Sequence, residues 1–182
     1  LINGELMLYG VVGDHFDFVD GFTASDVAQA LAEHGDGDIT VRINSGGGIA
    51  NEGMAIHSLL KTHPGKVTVV VDSIAASAAS LIAMAGATIE MRLGTTMMIH
   101  DPSGITFGNE DTHLKSAGKL GKIAESYAAV YAARAGIKKP EARAIMKAET
   151  WMTADEAVAQ NFATTVNGDG GLEAKAFDYE IY

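Results

Sequence analysis

The chain contains no cysteine. That excludes a disulfide framework, a thiolate zinc site and a cysteine nucleophile, and it fits a reducing compartment such as the cytoplasm. Any covalent catalysis then falls to serine, threonine, lysine or a carboxylate. Positive charge is scarce: 13 Lys and Arg against 23 Asp and Glu give a formal net charge of -10. Such a surface attracts neither nucleic-acid phosphates nor anionic membranes, so neither is an expected partner. Long apolar runs are missing too. The nearest, Ile74 to Ala87, is rich in Ala and Ser and falls short of the roughly 18 residues of a membrane span. It reads as a buried helix. No basic segment leads into an apolar one after Leu1, so the chain is expected to be a trimmed or processed one.

What is present suits a single α/β domain. A length of 182 residues at 47% hydrophobic content is enough for one sizeable core. Leu6 to Val12 is strand-like, and Thr23 caps a helix from Ala24 to about Glu33, with Asp26 in its first turn. Ile39 to Ile43 reads as a buried strand, Ala50 to Lys61 as a helix, and His63-Pro64-Gly65 as its stop. Lys66 to Val71 has the continuous valine content of a strand covered on both faces. A turn and an alanine-rich helix, Ala75 to Ala85 with Gly86 as C-cap, are expected next, then strands Ile89 to Leu93 and Thr96 to Ile99 around Gly94. After a loop from Asp101 to Gly108, apolar residues from Leu114 to Tyr131 recur at helical spacing, predicting one long helix over Asn109 to Ala135. Pro140 opens a further helix, and Thr153-Ala154-Asp155-Glu156 is a capping box. The expected organisation is one domain over 1–166 and an acidic, aromatic tail over 167–182. Repeated strand-helix units imply βαβ crossovers and a mostly parallel sheet.

Three features carry candidate chemistry. Ser77 falls where a strand gives way to a helix, so free N–H groups and positive dipole would face its hydroxyl. An ordinary helix cap explains a serine there equally well, and Ser73 and Ser80 are local rivals. His100 ends an apolar strand, where a base can reach a sheet edge; a structural histidine is the plain alternative. His15, His34, His57, His63 and His113 fall in loops or on helices. Gly46, Gly47 and Gly48 leave backbone amides uncovered, as an oxyanion hole requires, and as a tight turn or phosphate cradle also would. No Lys-Ser/Thr ending of a P-loop and no dinucleotide fingerprint follows them. Nucleotide binding is disfavoured.

Four blocks in order then resemble one family. Ile43-Asn44-Ser45-Gly46-Gly47-Gly48 with Gly53, Ala75-Ala76-Ser77-Ala78-Ala79-Ser80, Met97-Met98-Ile99-His100-Asp101-Pro102 and Trp151-Met152-Thr153-Ala154-Asp155-Glu156-Ala157 are similar to the Clp protease proteolytic-subunit (ClpP) family, in its phage or prophage head-maturation branch. The resemblance implies an α/β fold, a ClpP/crotonase-like spiral of repeated βαβ units with a long protruding helix near 109–135. It implies an ATP-independent serine endopeptidase with Ser77 as nucleophile, His100 as base and Glu149 as the third member, where the family has aspartate. Amides of Gly47 and Ala78 would form the oxyanion hole, and Gly46, Gly48 and Ile49 would hold an extended peptide as an added strand. Gly46 stands where the family often has proline, and Ala78 where it often has methionine. No metal or organic cofactor is required. A homo-oligomeric ring acting on protein or peptide substrates is implied as well, with phage capsid, scaffold or portal proteins as the partners that branch suggests. A crotonase-type acyl-CoA enzyme, a serine-lysine peptidase related to signal peptide peptidases and a catalytically silent assembly protein are the competing readings. Asp101 and Asp155 are the substitutes for Glu149.

Overall fold

A computed structural model describes residues 1–13 and 20–168, so most of the expected tail, and His15, lie outside the described residues. The chain runs β1 (Leu6–Tyr9), β2 (Val11–Val12), β3 (Gly21–Phe22), α1 (Ala24–His34), β4 (Ile39–Ser45), α2 (Ala50–Lys61), β5 (Val67–Ala76), α3 (Ala78–Ala83), β6 (Thr88–Arg92), β7 (Thr96–Ile99), α4 (Glu110–Ala135), α5 (Lys139–Lys147), β8 (Thr150–Thr153), α6 (Ala154–Ala159) and β9 (Thr165–Asn167). The strands β1, β4, β5, β6 and β9 lie side by side in that order, all parallel. Such pairing needs crossovers, and the intervening helices supply them. The α/β class and the repeated strand-helix units expected from the sequence are what the structure shows.

Helices form where caps and apolar spacing agree. Thr23 and Asp26 make a reciprocal capping box on α1, and Glu52 from α2 accepts the Ala24 N–H at 2.7 Å, tying two helix N-termini together. Asn109 caps α4 and Gly136 closes it in the left-handed conformation, at φ 71°. The long helix therefore spans what its spacing predicts. Its halves differ: Leu114 is exposed, whereas Ala124, Tyr127, Ala128, Tyr131 and Ala132 are buried against the domain.

One expectation needs correcting. The segment from Asp72 to Ala76 is strand and not turn and helix: β5 continues through it, and Ile74, Ala75 and Ala76 pair in parallel with Thr96, Met97 and Met98 of β7. Alanine's helix propensity loses here to the ladder that a second neighbouring strand provides. The helix is correspondingly short, α3 alone. β8, not expected as a strand, lies antiparallel on β7 with Ile99 opposite Thr150 and Thr96 opposite Thr153. β3 and β9 are also additions, and Gly10 divides the expected first strand in two.

The sheet carries one polar hub. Asp72 accepts from Tyr9 Oη at 2.7 Å, Arg42 Nε at 2.9 Å and Arg92 Nε at 2.8 Å, so β1, β4 and β6 all reach the same carboxylate on β5. Burial and the neighbouring carboxylate push the Tyr9 phenol up to about 12, so it stays a donor at any ordinary pH.

Candidate active site

Ser77 stands at an elbow. β5 ends at Ala76, α3 starts at Ala78, and the residue between adopts φ 54° and ψ -123°. A non-glycine residue in that region costs about 1–3 kcal/mol, which the surrounding packing must offset. The packing is visible: a Cβ added at Gly53 of α2 would lie 2.9 Å from the Ala78 Cβ, so α2 and α3 touch closely only because both residues are small. Strand-elbow-helix geometry of this kind lifts a hydroxyl out of the backbone.

His100 arrives from the neighbouring strand. Its Nε2 is 2.7 Å from Ser77 Oγ. With the imidazole in its Nδ1–H tautomer the serine hydroxyl donates to Nε2, the state from which a base removes a proton. The Ser77 N–H donates to Met98 O at 2.9 Å, so the strand that carries the histidine also anchors the serine backbone.

The glycine run meets the elbow from the other side. Gly47 lies against it: an added Cβ would be 2.7 Å from Ser77 Cβ and 3.1 Å from the Ala78 nitrogen. Gly47 (φ 100°) and Gly48 (φ 152°) need glycine's freedom to make this approach. The Gly47 N–H, however, donates to the buried Ser45 Oγ at 3.1 Å in this conformation. On its other edge the run pairs with β2, Val12 donating to Gly47 O at 2.9 Å and Ile49 donating to Val12 O at 2.7 Å. Gly48's own N–H and C=O make no hydrogen bond among the described residues. They offer an extended ligand a strand edge. Between Ser77 and His100 opens a cavity of about 280 Å³, walled by Ile49, Ala50, Pro102 and Tyr127, the last fixed by its hydroxyl donating to Ala50 O at 2.8 Å.

The three acids separate clearly. Asp101 is bound by Arg143 of α5. Asp155 belongs to α6, beyond Thr153 at the far end of the β7–β8 ladder. Glu149 is the residue before Thr150, and the ladder ends with Thr150 opposite Ile99, the residue before His100. Glu149 is exposed, has φ 49°, and its carboxylate makes no hydrogen bond or ion pair among the described residues. The structure thus brings together Ser77, His100, Gly47, Gly48, Ile49 and Ala78; Glu149 lies just past the end of the ladder, without a hydrogen bond to His100. Gly46 is exposed at the start of the run. Ser73 lies exposed on β5, and Ser80 is fully buried. Sequence reasoning missed Ser45, Tyr127 and Arg143, because a serine inside a strand or a tyrosine at core spacing gives no sign of where its hydroxyl goes.

A hydroxyl on a strained elbow, an imidazole in contact with it and a glycine turn alongside are the parts of a serine hydrolase. The description "Clp protease" belongs to the family model that matches residues 19–168, and the chain belongs to that family. Among curated relatives, the ATP-dependent Clp protease proteolytic subunit 3 of Rhizobium meliloti is 29% identical over 159 residues, covering 82% of this chain and 81% of the relative. The proteolytic subunit of Pleurastrum terricola is 32% identical over 120 residues, 64% of this chain and 61% of its own. Of solved structures, a mutant ClpP1 from Listeria monocytogenes superposes with a TM-score of 0.78 at 22% identity, covering 91% of this chain and 92% of that one. The fold is that of the ClpP and crotonase-like group. Among the described residues no helix is long and apolar enough to cross a membrane, and no group of His, Asp and Glu is placed to hold a metal ion.

Proposed function

We propose that the chain is a serine endopeptidase that works without ATP, with Ser77 as nucleophile and His100 as general base. The observation that carries this reading is the 2.7 Å contact between Ser77 Oγ and His100 Nε2 at the elbow. His100 takes the serine proton as Oγ bonds to the peptide carbonyl carbon, and then hands it to the departing amine. Water, deprotonated by the same imidazole, hydrolyses the acyl-enzyme. The oxyanion is held by the amides of Ala78, the first residue of α3, and of Gly47, once the latter turns from Ser45 Oγ. Glu149 is the acid that orients the imidazole: it is unengaged and follows on from the end of the strand pairing that leads to His100, whereas Asp101 is taken by Arg143. Gly46, Gly48 and Ile49 align the substrate as an added strand, and the cavity beside Tyr127 takes an aliphatic side chain at the cleaved bond.

The same reading extends to the setting. The four-block resemblance is what supports the phage or prophage head-maturation branch, with capsid, scaffold or portal proteins as substrates in a host cytoplasm. The catalytic domain covers 1–166, with 167–182 as a tail. Ile105 and Phe107, 89% and 87% exposed beside the projecting half of α4, support assembly into a homo-oligomeric ring.

Labelling with a fluorophosphonate probe tests the chemistry. The intact chain is expected to label and Ser77→Ala is not. A folded, oligomeric intact chain that stays unlabelled overturns the peptidase reading in favour of a silent assembly protein.

A further inference from the structure

Directly behind the elbow lies a buried polar cluster to which the catalytic steps assign nothing. Ser80 Oγ, with Ser80 0% exposed, is 2.7 Å from Ser77 O, 2.7 Å from Met98 O and 2.8 Å from Tyr131 Oη. Tyr131, 1% exposed, also lies 3.4 Å from Ser77 O. The two hydroxyls have one proton each. Tyr131 donates to Ser80 Oγ, and Ser80 donates to one of two carbonyls that it meets at equal distance.

Neither carbonyl needs that proton. Ser77 O already accepts the Leu81 N–H at 3.2 Å, and Met98 O already accepts the Ser77 N–H at 2.9 Å. Satisfying buried acceptors therefore does not account for the pair, and an apolar residue at either position would avoid burying a hydroxyl. What the pair does is join two segments. Ser77 O belongs to the residue with the strained backbone, and Met98 stands two residues before His100 on β7. One hydroxyl thus grips the backbone of the nucleophile and the strand of the base.

Tyr131 is itself fixed. Its ring stands edge-on to Phe162, centroids 6.2 Å apart at 82°, and to Tyr127, 6.3 Å at 75°. We propose that Tyr131 and Ser80 are positioning residues that set the separation of Ser77 Oγ from His100 Nε2. The inference rests on the Ser77–His100 reading and adds to it the device that keeps the two atoms in line.

Tyr131→Phe removes the outer hydroxyl and keeps the ring. It is expected to slow both phosphonylation by a fluorophosphonate probe and acylation by a peptide substrate roughly tenfold while the KM for that substrate moves less than about twofold, since misplacement of a reacting pair appears in the chemical step. Ser80→Ala is expected to slow acylation further, and the double variant to be no slower than Ser80→Ala, because the hydroxyls act as one unit. A structure of Tyr131→Phe reads the geometry without turnover: the contact, 2.7 Å in the parent, is expected to open beyond about 3.5 Å. Parent-like acylation accompanied only by a lowered Tm, or a retained short contact, overturns the proposal. An unlabelled parent chain would overturn the peptidase reading alone, and the separation in Tyr131→Phe would still decide the positioning role.

Discussion

Arg143 on α5 binds the carboxylate of Asp101, the residue that follows His100, and its guanidinium lies 3.7 Å from Glu125 on α4. Glu125 also receives Lys139 Nζ at 2.7 Å, and that ammonium holds its carboxyl below the usual range. A chain of charges thus runs from the α4–α5 junction to the segment that walls the cavity with Pro102 and Ser103.

Arg143→Ala should loosen that wall. The pair is partly exposed, so the loss of stability is expected to be small, about 0.2–1 kcal/mol. The larger effect is on substrate fit: KM for a peptide ester should rise several-fold. An unchanged KM would show that Asp101 needs no clamp.

Glu149→Gln keeps size and removes charge. Acylation should fall on the order of tenfold or more with oligomeric state unchanged, because the imidazolium loses its counter-charge. Parent-level acylation in this variant would identify a Ser-His pair that operates without a carboxylate.

Ser45→Ala removes the acceptor that occupies the Gly47 amide. A typical hydrogen bond contributes about 0.5–1.5 kcal/mol net, so freeing the amide is expected to speed acylation by roughly two- to tenfold while lowering Tm. Slower acylation would mean that Ser45 supports the oxyanion turn instead of competing with it.

His57 gives the pH prediction. Burial, and secondarily the Lys61 ammonium, lower its pKa below the ordinary 6.5. The unfolded chain then takes up this proton at a higher pH than the folded one, so the stability from a neutral His57 is present above 6.5 and is lost as pH falls toward the folded value. Tm should drop on acidification below 6.5, and His57→Gln should flatten that drop. An identical Tm-versus-pH curve for the variant would rule His57 out.

Much of this was legible in residues alone. Thr23, Pro140 and Thr153 mark helix starts by local chemistry, and the valines of β5 mark a buried strand, because such signals act within a few residues. That Ser77, His100 and Gly47 come together was expected from their blocks, and the 2.7 Å contact of the first two agrees with it. The continuation of β5 to Ala76 was not, since its cause is pairing with β7 some twenty residues on. Nor was the engagement of Gly47 by Ser45, or of Asp101 by Arg143, because side-chain partners are chosen only once the chain is packed.

The Asp72 hub has a consequence for how the sheet finds its alignment. Valine-rich neighbours pair about as well when one strand slides past another, for every position offers a similar apolar face. Here a slide of one residue would part Tyr9, Arg42 or Arg92 from the shared carboxylate and turn it to the opposite side of the sheet. A single aspartate therefore acts as a registration mark for four strands, and through β5 it fixes how far the chain has advanced when it reaches Ser77.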